Sequence, residues 1–266
     1  EHLIQNFAMF LKVLLLVAAA VAVRAASPDK FRIYNGQTAF IRNIPHQVAL
    51  LNVSKPATNQ HFCGGSLIGP QWILTAAHCV VNYKPAELNV RVGSSYFAQK
   101  GRVVPISRIV VHPRFKPSTM DNDLALLKIT YEVFATGGEM RLSVPLPKST
   151  EVFAQGTSCT ISGWGQMENG RKSSVLKEAT IPIANRKLCT RNYAGALISV
   201  TDNMICAGFF NATKDTCAGD SGGPLTCRGK LVGITSFGKG CSVKNYPGLY
   251  ASVAKARAWI TQETGI

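Results

Sequence analysis

Short apolar or alternating runs, broken by Gly, Pro and Asn, make up the chain from residue 33 onward, and this pattern constrains the fold more than any other feature. The runs cover residues 47–51, 66–68, 72–74, 88–92, 108–111, 124–129, 159–162, 231–237 and 248–253. No helical periodicity separates them, so they predict an all-β barrel or sandwich. One helix is predicted at the end of the chain, where apolar residues recur on one face: Val253, Ala256, Trp259 and Ile260.

Length and composition fit one large all-β domain or two small ones. Of the 266 residues, 46% are hydrophobic and 16% are charged, which excludes intrinsic disorder and coiled coil. A stretch near 132–147 that contains Gly and Pro is the best candidate for a linker between two barrels. Lys and Arg outnumber Asp and Glu by 29 to 14, and the net charge of +15 raises the question of an anionic partner.

The N-terminal segment predicts secretion. An apolar run of 11 residues at 13–23 follows Lys12, and it is too short for a membrane span, which needs about 20 residues. Residues 1–25 are therefore interpreted as upstream residues before Met9 plus a signal peptide; a buried core helix is the alternative. No later run is long enough to span a bilayer. The mature protein is expected to be extracellular, and Asn52 and Asn211 begin N-glycosylation sequons.

The cysteine spacing excludes two common kinds of site. The chain has eight cysteines and no Cys-x-x-Cys pair, and the nearest two, Cys217 and Cys227, are ten residues apart. Zinc ribbons and thioredoxin-like redox sites need the closer spacing. An even number of cysteines in an extracellular chain is instead typical of disulfides.

The segment Gly-Asp-Ser-Gly-Gly-Pro at 219–224 is the strongest chemical signal in the sequence. Glycines around Ser221 let backbone N–H groups converge on one point, where they can bind an oxyanion; a glycine-rich turn with an exposed serine is the alternative. The segment also fits the Gly-x-Ser-x-Gly pattern of α/β-hydrolases. That class places its histidine after the serine, and no histidine follows Ser221 here.

The remaining order of catalytic groups is histidine, acid, serine. His78 follows the apolar segment 72–74, and Asp123 stands directly before the apolar run at 124–129. The subtilisin order fails for His78, because the only aspartate before it is Asp29 in the segment expected to be removed. Asp121 is the competing acid, but its position suggests a surface turn. Each of the three residues is a moderate signal by itself, but together, in the one order that remains, they are a strong indication of a catalytic triad.

These motifs resemble those of the trypsin-like serine endopeptidases of the chymotrypsin family. The resemblance runs from residue 33 to the C-terminus and is carried by 75–79, 121–127 and 219–224, with Cys-Gly-Gly-Ser-Leu-Ile at 63–68 and Ser-Gly-Trp-Gly at 162–165. It implies two packed six-stranded β-barrels, a short C-terminal helix and a site in the cleft between the barrels. It also implies Ser221 as nucleophile, His78 as general base and Asp123 as the acid that orients it.

The resemblance further assigns the residues around this triad. The N–H groups of Gly219 and Ser221 would form the oxyanion hole, and Ser236 would support Asp123. Asp215 falls at the bottom of the primary specificity pocket, which implies cleavage after Arg or Lys. Other pocket positions are Thr216, Ser236, Phe237, Gly238 and Gly248; Phe237 replaces the family's usual tryptophan.

Activation by cleavage is the family's route to activity. The junction Arg32-Ile33 resembles a zymogen cleavage site, which divides the chain into an activation peptide at 26–32 and a protease domain at 33–266. The new ammonium of Ile33 would pair with Asp220 and order the site. The resemblance implies four disulfides: Cys63–Cys79, Cys159–Cys227, Cys189–Cys206 and Cys217–Cys241.

The expected cofactors and partners follow from the same resemblance. Many members bind calcium in a loop that corresponds to 91–111, but this segment contains no Asp or Glu, so no metal and no other cofactor is expected. Expected partners are polypeptide substrates with Arg or Lys before the cleaved bond and protein protease inhibitors, and the protein is expected to be a monomer. Heparin-like or other anionic surfaces are further candidates, whereas the secretory signal argues against nucleic acid. A catalytically silent homologue that acts as a secreted binding protein is the alternative function.

Overall fold

The computed structural model describes residues 36–133, 142–167 and 169–266. The predicted signal peptide, the activation peptide with Arg32, and Ile33 lie outside these residues, as does the middle of the predicted linker. The described chain is mostly β and has thirteen strands. They are β1 (Gln37–Thr38), β2 (Gln47–Asn52), β3 (His61–Leu67), β4 (Trp72–Thr75), β5 (Leu88–Val92), β6 (Arg102–Val111), β7 (Ala125–Ile129), β8 (Ser158–Gly163), β9 (Lys177–Pro182), β10 (Met204–Ala207), β11 (Pro224–Cys227), β12 (Lys230–Phe237) and β13 (Gly248–Ser252).

Strands β2 to β7 form a closed antiparallel barrel in the order β2-β3-β4-β7-β6-β5. Its interior is filled by the apolar residues of the predicted runs, such as Val48, Leu74 and Leu126, each 0% exposed. Strand β4 pairs with β7 so that Thr75 lies opposite Ala125. Because the two strands are antiparallel, the residues after Thr75 and those before Ala125 meet at the same end of the barrel.

The second sheet has seven strands in the order β1-β9-β8-β11-β12-β13-β10. An isolated bridge between Ile183 and Ala207 joins the end of β9 to β10, and the Gly208 N–H donates to the Pro182 carbonyl at 2.9 Å. These contacts close β8 to β13 into a ring of six strands, and β1 is added to it as a short seventh. The predicted pair of six-stranded barrels is confirmed.

Three α-helices accompany the barrels in the part of the chain that the structure describes: α1 (Ala77–Val80), α2 (Arg186–Ala194) and α3 (Arg257–Thr264). Short 3-10 segments lie at Ile41–Asn43, Ala57–Asn59 and Pro85–Glu87. The predicted C-terminal helix is present as α3, and Ile260 and Trp259 pack against the core of the first barrel. Helix α2 was not predicted, although Asn185 caps it by accepting a hydrogen bond from the Leu188 N–H at 2.8 Å.

Polar contacts as well as apolar packing join the two barrels. Ser162, 2% exposed, donates to the Gln47 side-chain oxygen at 2.6 Å, and Gln47 is itself completely buried. The Gly64 N–H of β3 donates to the Ser221 carbonyl at 2.7 Å. Buried polar groups are costly without partners, so these pairings fix how the barrels meet.

All eight cysteines are paired, and the pairs are those that the resemblance implied. Cys63–Cys79 lies in the first barrel, whereas Cys159–Cys227, Cys189–Cys206 and Cys217–Cys241 lie in the second half of the chain. No helix within the described ranges has the length and apolar character needed to cross a membrane.

An arginine organises the loop between β5 and β6. The Arg91 guanidinium donates to the carbonyl oxygens of Phe97 at 2.8 Å and Lys100 at 2.5 Å. The Ser94 hydroxyl bridges the same loop by donating to the Gln99 carbonyl at 2.7 Å. Inward-facing carbonyls are what a cation would bind, and here a side chain of the protein itself supplies the positive charge.

Candidate active site

The pairing of β4 with β7 brings His78 and Asp123 together. His78 lies in α1 just beyond β4, and its Nδ1 is 2.7 Å from the Asp123 Oδ2. The His78 backbone N–H also donates to the Asp123 Oδ1, at 2.9 Å. Asp123 is 0% exposed. A buried carboxylate needs donors around it, and here it holds the imidazole with the proton on Nδ1. Nε2 lies 3.7 Å from the Cys79 Sγ, a disulfide sulfur that has no proton to donate, so the Nε2 lone pair can accept a proton.

Ser236 completes the surroundings of Asp123. Its hydroxyl donates to the Asp123 Oδ2 at 2.5 Å, and Ser236 belongs to β12 of the second barrel. The acid of the first barrel is thus held by a donor from the second. The predicted supporting serine lies where the resemblance placed it.

Ser221 lies in a tight turn that is pressed against the first barrel. Gly222 has φ +78°, and a Cβ added there would lie 2.3 Å from the Thr75 Oγ1. Glycine is therefore required on both counts. Ser221 lines the same pocket as Ser236, and within the described ranges its hydroxyl makes no hydrogen bond with His78 Nε2 or another group. Such contacts often form fully only when a substrate binds.

Two backbone N–H groups around Ser221 are unpaired. The Asp220 N–H donates to the Cys217 carbonyl at 2.9 Å, and the Gly222 N–H donates to the Thr235 carbonyl at 2.8 Å. The alternate N–H groups, those of Gly219 and Ser221, have no partner among the residues that the structure describes. Gly219 has φ +99°, a conformation that L-amino acids rarely adopt. The turn therefore leaves two donors available for a ligand.

A pocket of about 280 Å³ opens beside Ser221. All six residues predicted for substrate binding line it: Asp215, Thr216, Ser236, Phe237, Gly238 and Gly248. Gly240 and the Cys217–Cys241 disulfide line it as well, and neither was predicted above to do so. A Cβ added to Gly248 would lie 3.3 Å from the Asp215 Oδ1, so a side chain there would crowd the acid.

Asp215 is a buried carboxylate at this pocket. Its oxygens accept hydrogen bonds from the N–H groups of Ser242 at 2.7 Å and Thr216 at 2.8 Å. Burial nevertheless raises the pKa of Asp215 to about 6, because desolvation outweighs these two donors. No cation faces this carboxylate within the described chain. A carboxylate of this kind favours a positively charged ligand.

Asp220 is the second buried acid near the serine. It is 1% exposed and accepts hydrogen bonds from the N–H groups of Gly165 at 2.8 Å and Cys217 at 3.0 Å. A Cβ added to Gly165 would lie 2.4 Å from its Oδ2, so only glycine permits the approach. Burial raises the pKa of Asp220 to about 6. The predicted ammonium partner, Ile33, lies outside the described residues.

Asp121 ends the turn at 117–120, where it pairs with Lys116, and it also contacts the second half of the chain. It is half-buried, and its carboxylate accepts hydrogen bonds from the Thr201 hydroxyl and from the Asn203 side-chain amide, at 3.1 Å. Both donors belong to the segment before β10 in the second half of the chain. Asp121 therefore closes a turn, as expected, and in addition links the two halves. Its contacts do not include His78, so Asp123 is the acid at the imidazole.

Two antiparallel barrels that meet around a serine, an imidazole and a buried acid are the architecture of the chymotrypsin-like serine endopeptidases. The protein is an enzyme of this class. The family model described as Trypsin matches residues 33–260, and the chain belongs to this family.

Curated relatives agree with this placement over most of the chain. Trypsin of Sus scrofa is 40% identical over 239 residues, which cover 88% of this chain and 96% of that protein. Trypsin 5G1 of Aedes aegypti is 39% identical over 236 residues, covering 88% and 86% of the two chains. The vitellin-degrading protease of Bombyx mori is 34% identical over 254 residues, covering 94% and 93%.

Proposed function

We propose that the protein is a secreted endopeptidase, made as a zymogen, that cleaves peptide bonds after Arg or Lys through a triad of Ser221, His78 and Asp123. The observation that carries this proposal is the completely buried Asp123, bonded to His78 Nδ1 at 2.7 Å on the barrel end that faces Ser221. Burying a carboxylate is costly, and its donors orient an imidazole beside a serine.

Each group has a defined part in the reaction. The Ser221 Oγ attacks the carbonyl carbon of the substrate while His78 Nε2 takes the hydroxyl proton. The carbonyl oxygen becomes an oxyanion and accepts hydrogen bonds from the N–H groups of Gly219 and Ser221, each worth about 10²- to 10³-fold in rate. His78 then gives its proton to the departing amine, which leaves an acyl-enzyme. A water molecule, deprotonated by His78, hydrolyses this ester and restores Ser221.

Asp215 selects the residue before the cleaved bond. A Lys or Arg side chain that enters the pocket would place its charge at a carboxylate that otherwise stays uncompensated. The glycines at 238 and 248 leave room for a long side chain. Phe237 lines the pocket where the family usually has a tryptophan. The relatives named trypsin at 39% and 40% identity support this class of substrate.

Secretion and activation complete the proposal. The apolar run at 13–23 would direct export, and cleavage after Arg32 would free the Ile33 ammonium to pair with Asp220. Burial raises the pKa of Asp220, and no described residue gives it a counter-charge, so a nearby ammonium would lower that pKa and hold the turn at 219–222 in its active form. Protein protease inhibitors would occupy the same cleft as substrates.

Cleavage-site profiling tests the specificity. The zymogen is activated at Arg32 and incubated with a denatured protein mixture, and the residues that precede the new N-termini are identified. Cleavage after Arg and Lys is expected, with loss of this preference in Asp215→Ser and no cleavage in Ser221→Ala. Equal cleavage after Phe or Leu by the wild type would contradict the proposal.

A further inference from the structure

A second pocket, of about 450 Å³, opens at the other end of the second barrel. We call it the distal pocket; Phe153, Ile183, Met204 and Val232 form its floor, and Arg186 and Lys255 stand at its rim. Strand β13 runs from Gly248 at the specificity pocket to Ser252 at the distal pocket. Four steps of about 3.3 Å separate the ends of this strand by roughly 13 Å. The two pockets share no lining residue.

The floor of the distal pocket is apolar and open to water. Ile183 is 8% exposed and Met204 4%, so the floor is fixed by packing, whereas Val152 on the rim is 83% exposed. No described residue covers it. Water in contact with such a surface is released when an apolar group enters, so the pocket favours an apolar side chain.

The rim of the distal pocket carries two positive charges, and one of them is already held in position by hydrogen bonds. The Arg186 guanidinium donates to the carbonyl oxygens of Met204 at 2.5 Å and Val200 at 3.3 Å, so it is held in one place while its side chain stays 38% exposed. Lys255 is exposed, and its ammonium makes no hydrogen bond or ion pair among the described residues. A cation that is already immobilised loses little entropy when an anion binds to it.

Acidic side chains at the rim do not cancel this charge. Glu151 is paired with Lys230 at 2.8 Å, and Asp202, 98% exposed, lies 3.8 Å from Arg186. The lining holds two cations, Arg186 and Lys255, against these two acids, and Lys148 lies near Glu151 in addition to Lys230. The cations therefore outnumber the acids around the distal pocket, in line with the net charge of +15.

We propose that the distal pocket binds an acidic peptide segment through an apolar side chain that enters the floor and carboxylates that reach Arg186 and Lys255. This inference rests on the proposed function, since the segment would belong to a protein substrate or inhibitor that also occupies the specificity pocket. When one protein contacts both pockets, its overall affinity for the enzyme rises although neither contact becomes stronger. A sulfated polysaccharide would match the cations but leave the apolar floor in water.

The test uses a blocked peptide, Asp-Glu-Phe-Asp-Glu with a fluorescent label, which contains no Arg or Lys and cannot be cleaved as proposed. Its binding to the activated enzyme is measured by anisotropy at low salt. Replacing Phe by Ala in the peptide is expected to weaken binding about tenfold, as burial of one aromatic side chain implies. Replacing the acids by Asn and Gln is expected to weaken it at least as much.

Three variants of the enzyme test whether the peptide binds at the distal pocket. Lys255→Gln is expected to weaken binding and Asp202→Asn to strengthen it, each about two- to fivefold, the usual size for an exposed charge. The control, Lys55→Gln, removes an exposed lysine from the β2–β3 connection and should leave binding unchanged. A merely structural role of Asp202 would not produce tighter binding.

The outcomes separate the distal pocket from the active site. Equal binding of the Phe and Ala peptides, or binding of a heparin oligosaccharide but not of the peptide, would overturn the proposal and indicate a plain polyanion site. Unchanged binding in both Lys255→Gln and Asp202→Asn would overturn it as well. Turnover of a small Arg amide should be the same in all three variants; its absence in the wild type would instead refute the proposed function.

Discussion

The loop between β5 and β6 should be stabilised by Arg91 and be indifferent to calcium. The guanidinium makes two hydrogen bonds to loop carbonyls, and no Asp or Glu occurs at 91–111. A charged hydrogen bond contributes about 1.5–3 kcal/mol. The carbonyls lie near the surface and water can replace part of that, so Arg91→Met should lower the free energy of unfolding by about 1–3 kcal/mol.

Thermal unfolding measures this effect. For a domain of this size, 1 kcal/mol shifts Tm by about 2–4 °C, so Arg91→Met should melt roughly 2–12 °C lower than the wild type. Millimolar calcium and EDTA should give the same Tm in both proteins, because calcium needs six to eight oxygen ligands that usually include carboxylates. Lys116→Met, which removes an exposed charge of the same sign outside the loop, is the matched control.

Three results would refute this reasoning. An unchanged Tm in Arg91→Met would mean that the guanidinium does not support the loop. A rise of several degrees with calcium in the wild type would mean that a metal site exists despite the absence of carboxylates. A rise seen only in Arg91→Met would show that carbonyls alone can bind the ion once the guanidinium is gone.

Three further predictions concern the acids and the activation site. Asp123→Asn should keep the fold and lower kcat about 10⁴-fold, the magnitude established for this triad, whereas Asp121→Asn should lower Tm by a few degrees and keep most of the activity; similar turnover in the two variants would be contrary evidence. Burial raises the pKa of Asp215 to about 6, so this carboxylate is ionised above that pH and protonated below it. The affinity of benzamidine for Ser221→Ala should therefore fall about tenfold per unit as the pH drops below this value, by calorimetry, and a pH-independent affinity would argue against Asp215 as its partner. Arg32→Gln should give a secreted chain that trypsin cannot activate, and full activity in that uncleaved chain would rule out the ammonium–Asp220 mechanism.

The sequence predicted those strands whose apolar residues form a continuous run or a regular alternation. Strand β5 has the predicted bounds, and the strands predicted at 47–51, 124–129 and 248–253 end within one residue of those observed. Strand β6 begins six residues earlier than predicted. Strand β9 escaped prediction because Lys177 occupies one of its buried positions, with its Nζ donating to the Thr38 hydroxyl. A charged residue on the inner face conceals the alternation that marks a strand.

Residues near the site were predictable where short motifs carry them. The triad candidates and the acid of the pocket lie in recognisable short motifs. The order of the triad candidates along the chain excludes the other arrangements of catalytic groups. The partners of Asp121 were not predictable, because Thr201 lies 80 positions later and forms no motif with it. Arg91 was equally hidden: the absence of carboxylates was visible in the sequence, but the guanidinium that spans the loop was not.

The separation of the four disulfides between the two barrels has a consequence for inactivation. Each disulfide closes a loop within one half, and none ties β2–β7 to β8–β13. The halves are held by buried hydrogen bonds such as that from Ser162 to Gln47, and Ser236 and Asp123 meet across the same interface. Activity therefore reports directly on how the two barrels are docked. A small displacement of the intact barrels would abolish activity before either barrel unfolds. This loss would not require reduction of the disulfides.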